Sequence, residues 1–162
     1  MAVSLKIKTN SKQVQSKFRK FQAVLPRVID KGLKQAGFQL LDIVRTKTQK
    51  GIDFRDRPFA PYSEGYLKQL QREGKPTKVD LFYSGRMLGS LTPNSTIKKT
   101  GRNKVTVAFS NSEMRERAFR IQTGDGQPKR EFFGFDKTTE KKISKEFENQ
   151  IKKEMKKLGL WV

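Results

Sequence analysis

Between Val14 and Val44 the chain places apolar residues at Val14, Phe18, Phe21, Leu25, Val28, Leu33, Ala36, Leu40 and Val44. The steps are mostly three or four residues, which puts them on one stripe of an α-helix. No other feature constrains the fold as much. Residues 27–48 alone predict a helix of about 33 Å at 1.5 Å per residue, which is long for a chain of 162 residues. Ser11 offers an N-cap. Pro26 has no N–H to give to the helix, so a kink or a split into two helices is expected there. Phe18 and Phe21 belong to the stripe and are expected to face the core.

The remaining elements are shorter. "VSLKIK" alternates Val3, Leu5 and Ile7 with polar residues and predicts a half-buried strand. Residues 49–80 read as an extended loop region that carries one short helix. That helix opens at Ser63-Glu64 and stops at Gly74 and Pro76. In "DLFYSGRMLGSL" Ser84 is expected to cap another short helix. "STIKKT" and "KVTVAFS" around "GRN" predict a β-hairpin. Ser112 is expected to cap "EMRERAFRIQ", "TGDGQPKR" reads as a turn-rich loop, and "EFFGF" as a strand or extended segment. Asp136 caps a final helix with its stripe at Ile143, Phe147, Ile151, Met155 and Leu158. The order predicts a single α+β domain over residues 1–162. Its small, mainly antiparallel sheet has the long N-terminal helix and the C-terminal helix packed on one side.

Composition limits how well such a domain can bury itself. Hydrophobic residues make up 34% and charged residues 32%, so the core is expected to be thin, or completed by partners. No apolar run reaches the roughly 18 residues of a membrane span, and "MAVSLKIKTN" lacks the apolar segment of a signal peptide. The chain has no cysteine and no histidine. Thiolate chemistry, Ser–His and Cys–His pairs, and zinc sites with imidazole or thiolate ligands are thereby excluded. Acid–base work would fall to Asp, Glu, Lys or Tyr, so most routes to an enzyme are closed; no metal or cofactor is expected, and the protein is expected to be made in the cytoplasm.

Net charge is +20, from 36 Lys and Arg against 16 Asp and Glu. The first 50 residues hold 12 basic and 2 acidic residues, and the segment from Lys137 onward holds 8 Lys and 4 Glu. So large a field attracts polyanions or acidic protein surfaces. A solvated basic surface and a nucleic-acid groove are both open on this ground. Lys17, Arg19 and Lys20 in "KFRKF", and Lys129 and Arg130 in "KREFFGF", are the nucleic-acid candidates, because each stretch interleaves cations with aromatics.

Other chemistry is poorly supplied. "SGRMLGS" lacks the spacing of a phosphate-binding loop. Asp53 with Asp56, and Glu113 with Glu116, are the acidic clusters; none lies on a predicted strand where carboxylates could converge on a metal. In "REFFGF" the three rings cannot all point inward, since neighbours in an extended segment alternate faces.

Taken in order, the segments resemble the virion morphogenesis family of tailed bacteriophages, the head–tail joining and tail-completion proteins. A long basic helix leads to the Gly-and-aromatic loop "GIDFRDRPFAPYSEGYLKQ". Leu81, Ser84, Gly85, Met87, Ser90 and Leu91 follow, then the hairpin. Ala118, Phe119, Gln122 and Gly124 come next, and Arg130 to Gly134 precede the closing helix. Two positions depart from the pattern: Ser84 stands where Thr is commoner, and Glu131 where Pro is usual. The resemblance implies a structural virion protein of the neck. It would assemble in the host cytoplasm as a ring of six or twelve copies, complete the tail and join it to the head, against other neck and tail proteins and DNA in the channel. The family names no active-site residues. The subunit-interface candidates are the aromatics and apolar residues such contacts favour: Tyr62, Tyr66, Phe82, Met87, Leu88, Phe132 and Phe133, with Arg130. A sequence-independent nucleic-acid-binding protein is the alternative.

Overall fold

The computed structural model describes residues 10–82 and 84–160, the side chain of Ser95 excepted. The strand expected in "VSLKIK" lies outside the described residues. The stripe of the first forty residues becomes α1, Ser11–Lys50, about 60 Å long at the usual rise. Pro26 does not split it. The proline leaves the carbonyl four residues earlier without its helical donor, but Gln22 and Pro26 are both exposed, where water takes the bond. Asn10, not Ser11, is the N-cap residue, and its side chain makes no cap bond. The far end is closed by Gly51 at φ 78°. Its N–H bonds to Thr48 O at 2.9 Å and that of Ile52 to Lys47 O at 3.1 Å, the paired bonds of a Schellman stop.

Two short helices and two single turns follow, α2 (Glu64–Arg72), α3 (Arg86–Gly89), α4 (Pro93–Thr96) and α5 (Ser112–Thr123), with the hairpin β1 (Ile97–Gly101) and β2 (Lys104–Val107) before α5. Ser63 caps α2 as expected, accepting the Tyr66 N–H. Ser84 does not cap α3; the turn starts from Gly85 in the left-handed region. Asn111 rather than Ser112 caps α5, its Oδ1 accepting from Met114 at 3.0 Å. The hairpin is antiparallel, with Ile97 opposite Val107 and Lys99 opposite Val105. "EFFGF" is irregular, with a bend at Phe133, and pairs with no strand among the described residues. The last helix, α6 (Lys137–Lys157), is capped by Asp136 through the Thr139 N–H at 2.8 Å. The domain is α+β.

The core sits on the C-terminal half of α1. Leu41 and Val44 meet Phe59, Met87, Leu88, Leu91, Ile97, Phe109, Met114, Ala118, Ile121 and Phe132. The first ten residues of α1 have no share in it: residues 11–20 are exposed throughout, and full burial along the helix begins at Val28. Phe18, expected to face the core, is 52% exposed. The stripe continues past the point where the rest of the chain can cover it. α6 packs along α1 with its own stripe only half-buried, and its end reaches Lys17, whose Nζ donates to Gly159 O at 3.1 Å.

Candidate assembly surface and arginine-lined cleft

The loop that leaves α1 is fixed by a knot of charges. Asp53 is buried, and its Oδ1 accepts the N–H groups of Arg55 and Arg57 at 2.8 and 2.9 Å while Oδ2 takes Arg57 Nε at 2.8 Å. Burial pushes the Asp53 carboxyl up, but these donors outweigh it and hold it below the usual carboxylate value. Arg55 and Arg57 also reach Glu131 Oε2 at 2.8 and 3.2 Å, and Lys129 meets Glu131 Oε1 at 3.1 Å. Lys129 and then Arg55 hold the Glu131 carboxyl below its ordinary value. The acid at residue 131 thus ties residues 51–60 to the segment before α6. Asp53 is a loop-closing residue, and Asp56 pairs with Lys47 at 3.0 Å. Glu113 and Glu116 are engaged with Arg86 and Arg120. Among the described residues no group of three Asp or Glu is placed to hold a metal ion, and no helix is long and apolar enough to cross a membrane.

Several expected surface residues are interior. Met87, Leu88 and Phe132 are 3%, 2% and 1% exposed and belong to the chain's own core, so they offer nothing to a neighbour. The whole apolar face of "RMLGSL" turns inward, with Leu91 fully buried. Arg130, a candidate for both interface and nucleic acid, is 4% exposed. Its Nε donates to Ala60 O at 2.9 Å and its Nη2 to Pro61 O at 3.0 Å, and the guanidinium stands 5.0 Å from the Tyr62 ring centroid. It clamps the chain between α1 and α2. It leaves little surface for a base or a phosphate backbone.

The other candidates keep some surface. Phe82 is exposed, and Tyr62, Tyr66 and Phe133 are half-buried. Tyr62 and Tyr66 meet edge to face at 4.9 Å. Phe133 packs on Phe109 at 5.8 Å, and its backbone N–H and C=O both bond the Gln122 amide at 3.0 Å. Phe135 is the ring of "REFFGF" that stays outside. Lys17, Arg19, Lys20 and Lys129 are exposed, but Lys17 touches the end of α6 and Lys129 is paired with Glu131.

Two features escaped the sequence. Phe119 is exposed on α5, although its helix is short and its apolar neighbours Ala118 and Ile121 are buried. A cleft of about 510 Å³ opens between the Tyr62–Tyr66 turn, α5 and the loop before Arg130. The i, i+4 spacing of Arg117 and Ile121 was the only signal that α5 turns one face to a cleft. Comparison of the chain with protein-family models, curated proteins and solved structures returns no match.

Proposed function

We propose that this chain is a structural subunit of a tailed-phage virion, forming a ring at the head–tail junction that completes the tail and joins it to the head. The reading begins from the ordered series of segments that resembles the virion morphogenesis family. The observation that carries it further is the apolar surface left open: Phe18, Phe82, Phe119 and Phe135 are each more than half exposed. Single exposed apolar residues are ordinary, but several large rings on a chain so rich in charge fit subunit contacts. The first ten residues of α1 meet no core of their own, which suits a subunit that completes its burial against neighbours. Heterologous contacts close a ring when the rotation per copy divides a full turn.

The second reading, sequence-independent nucleic-acid binding, has one observation in its favour. α1 and α6 pack along each other and carry ten and eight Lys and Arg, half of the 36 in the chain.

Native mass spectrometry at moderate ionic strength, with and without a short DNA duplex, separates the two. One dominant closed oligomer without bound DNA supports the ring subunit. A monomer that binds the duplex and still holds it at physiological salt supports the alternative. Complementation of a tail-joining defect then tests the place in the virion.

A further inference from the structure

The cleft beside α5 is built differently from the rest of this basic surface. It is lined by Tyr62, Tyr66, Leu81, Ile121 and two arginines, Arg117 and Arg130. Its volume of about 510 Å³ lies in the range of small-ligand sites. Arg130 is buried there with an incomplete set of partners. A guanidinium has five N–H donors; here two bond well to carbonyls, and a third contact, to Pro128 O, is 3.5 Å long. Among the described residues no carboxylate pairs with it. Glu131, its chain neighbour, is turned to Arg55, Arg57 and Lys129. Asp80 lines the adjoining cavity with Tyr62 and Tyr66 and accepts the Phe82 N–H at 2.9 Å. Burial pushes the Arg130 guanidinium below its ordinary value. Arg117, exposed on α5, brings a second positive charge to the same walls and has no acidic partner among the described residues.

We propose that this cleft receives a carboxylate side chain from an acidic segment of another protein, with an apolar or aromatic neighbour lying on the tyrosines. A carboxylate matches the planar guanidinium fork, and Tyr62, Tyr66, Leu81 and Ile121 supply contact for an apolar side chain. The phosphate of a duplex is held between sugars on a stiff rod and does not reach a side chain that is 4% exposed. The two arginines and the +20 charge of the chain disfavour a basic segment here, whereas an acidic partner is steered in. The site belongs to the single chain and stands whether or not the chain forms a ring.

The test uses the full isotope-labelled chain, titrated at physiological salt with acetyl-Leu-Glu-Phe-amide, with the same peptide carrying Gln for Glu, and with a short DNA duplex. The Glu peptide is expected to shift the Arg130 Nε–H and the Tyr62 and Tyr66 ring signals saturably. The Gln peptide should bind at least about tenfold more weakly, the scale of one charge-assisted hydrogen bond. Arg130 holds the fold, so the variants are made at exposed Arg117: Arg117→Ala should weaken the Glu peptide about tenfold and Arg117→Glu should abolish binding, both with unchanged melting. Equal affinity for the Glu and Gln peptides overturns the proposal. So do shifts confined to the lysines of α6, and so does a duplex that moves the cleft signals more strongly than the peptide.

Discussion

The ring of Phe147 occupies the space that a side chain on Gly32 would need: a Cβ there would lie 2.7 Å from Phe147 Cδ2 and 2.8 Å from Cε2. The missing side chain in the middle of α1 lets α6 lie close. Alanine in a helix interior is favoured over glycine by about 1 kcal/mol, while overpacking costs about 1–3 kcal/mol. Gly32→Ala is therefore expected to destabilise by about 1 kcal/mol net. In a Phe147→Ala background the obstacle is gone, and the same change should become stabilising. Urea unfolding of the four proteins in this cycle reads the reversal; no change of sign would mean that the two residues do not meet.

Gly51 makes a different demand. Its φ of 78° is costly for any L side chain, and a Cβ would stand 2.9 Å from the backbone oxygen of Val79, which has no rotamer to move. Gly74 has φ 64° and nothing within 4 Å, so only the conformational term acts there, about 1–2 kcal/mol. Gly51→Ala should cost clearly more than Gly74→Ala, by about 1–3 kcal/mol, the range of overpacking. Equal midpoints in chemical denaturation would remove the contact with Val79 from the account.

Arg130 governs folding before it governs any contact with a partner. Truncation to alanine leaves the Ala60 and Pro61 carbonyls without their donors and opens a gap beside Tyr62. Ala60 is half-buried and Pro61 exposed, so water replaces part of what is lost. A hydrogen bond from a charged donor is worth about 1.5–3 kcal/mol, and Arg130→Ala is expected to lower stability by about 2–3 kcal/mol. Arg130→Lys cannot span both carbonyls with one ammonium and should recover only part of this. Thermal melts of the two variants check the order; a loss of assembly at unchanged melting temperature would contradict it.

These cases show what a sequence carries and what it leaves out. Ser63 and Asp136 were legible as caps because an N-cap is a local bond, made within three residues. The hairpin around "GRN" was legible for the same reason. The stripe of α1 announced a helix but not its partner: Val44 and Phe18 have the same spacing, yet one is 1% and the other 52% exposed. Periodicity gives the face, and only the rest of the fold decides how far along it the core extends. Met87, Leu88 and Phe132 failed as surface residues for that reason. Arg130 misled because cations are usually exposed, whereas here backbone carbonyls of residues 60 and 61, distant in the chain, take the charge. The cleft depends on the meeting of three separate segments, and the i, i+4 spacing of Arg117 and Ile121 records only one wall of it.

Acid should loosen the loop after α1 late. Asp53 and Glu131 both have carboxyls below their ordinary values in the folded chain. A depressed carboxyl contributes stability that is present above its unfolded value and lost as pH falls through the folded one. The ordinary values are 3.8 and 4.5, so stability should decline below about pH 4.5 and keep declining as the lowered values are crossed. Asp53→Asn should flatten this slope, since Asn accepts weakly and carries no charge for Arg57. A melting temperature that falls equally steeply with pH in Asp53→Asn and in the parent would place the acid sensitivity elsewhere.

The exposed rings supply the test that bears most directly on assembly. Phe18 lies on the part of α1 outside the core, and Phe119 lies on the outer face of α5. Neither buries enough surface within its own chain to matter for folding, and surface changes of this kind usually stay within about 0.5 kcal/mol. Phe18→Glu and Phe119→Glu should therefore melt with the parent. Each also places a carboxylate where an apolar contact between copies is expected, and desolvating an unpaired charge there is costly. If the chain forms a ring through these faces, at least one of the two variants will run as a monomer in sedimentation at concentrations where the parent is assembled. Two variants that assemble as the parent does would move the contacts to other rings that keep surface, Phe38, Tyr62, Tyr66, Phe82, Phe133 and Phe135. Assembly that survives loss of those rings as well would leave the ring without an aromatic interface.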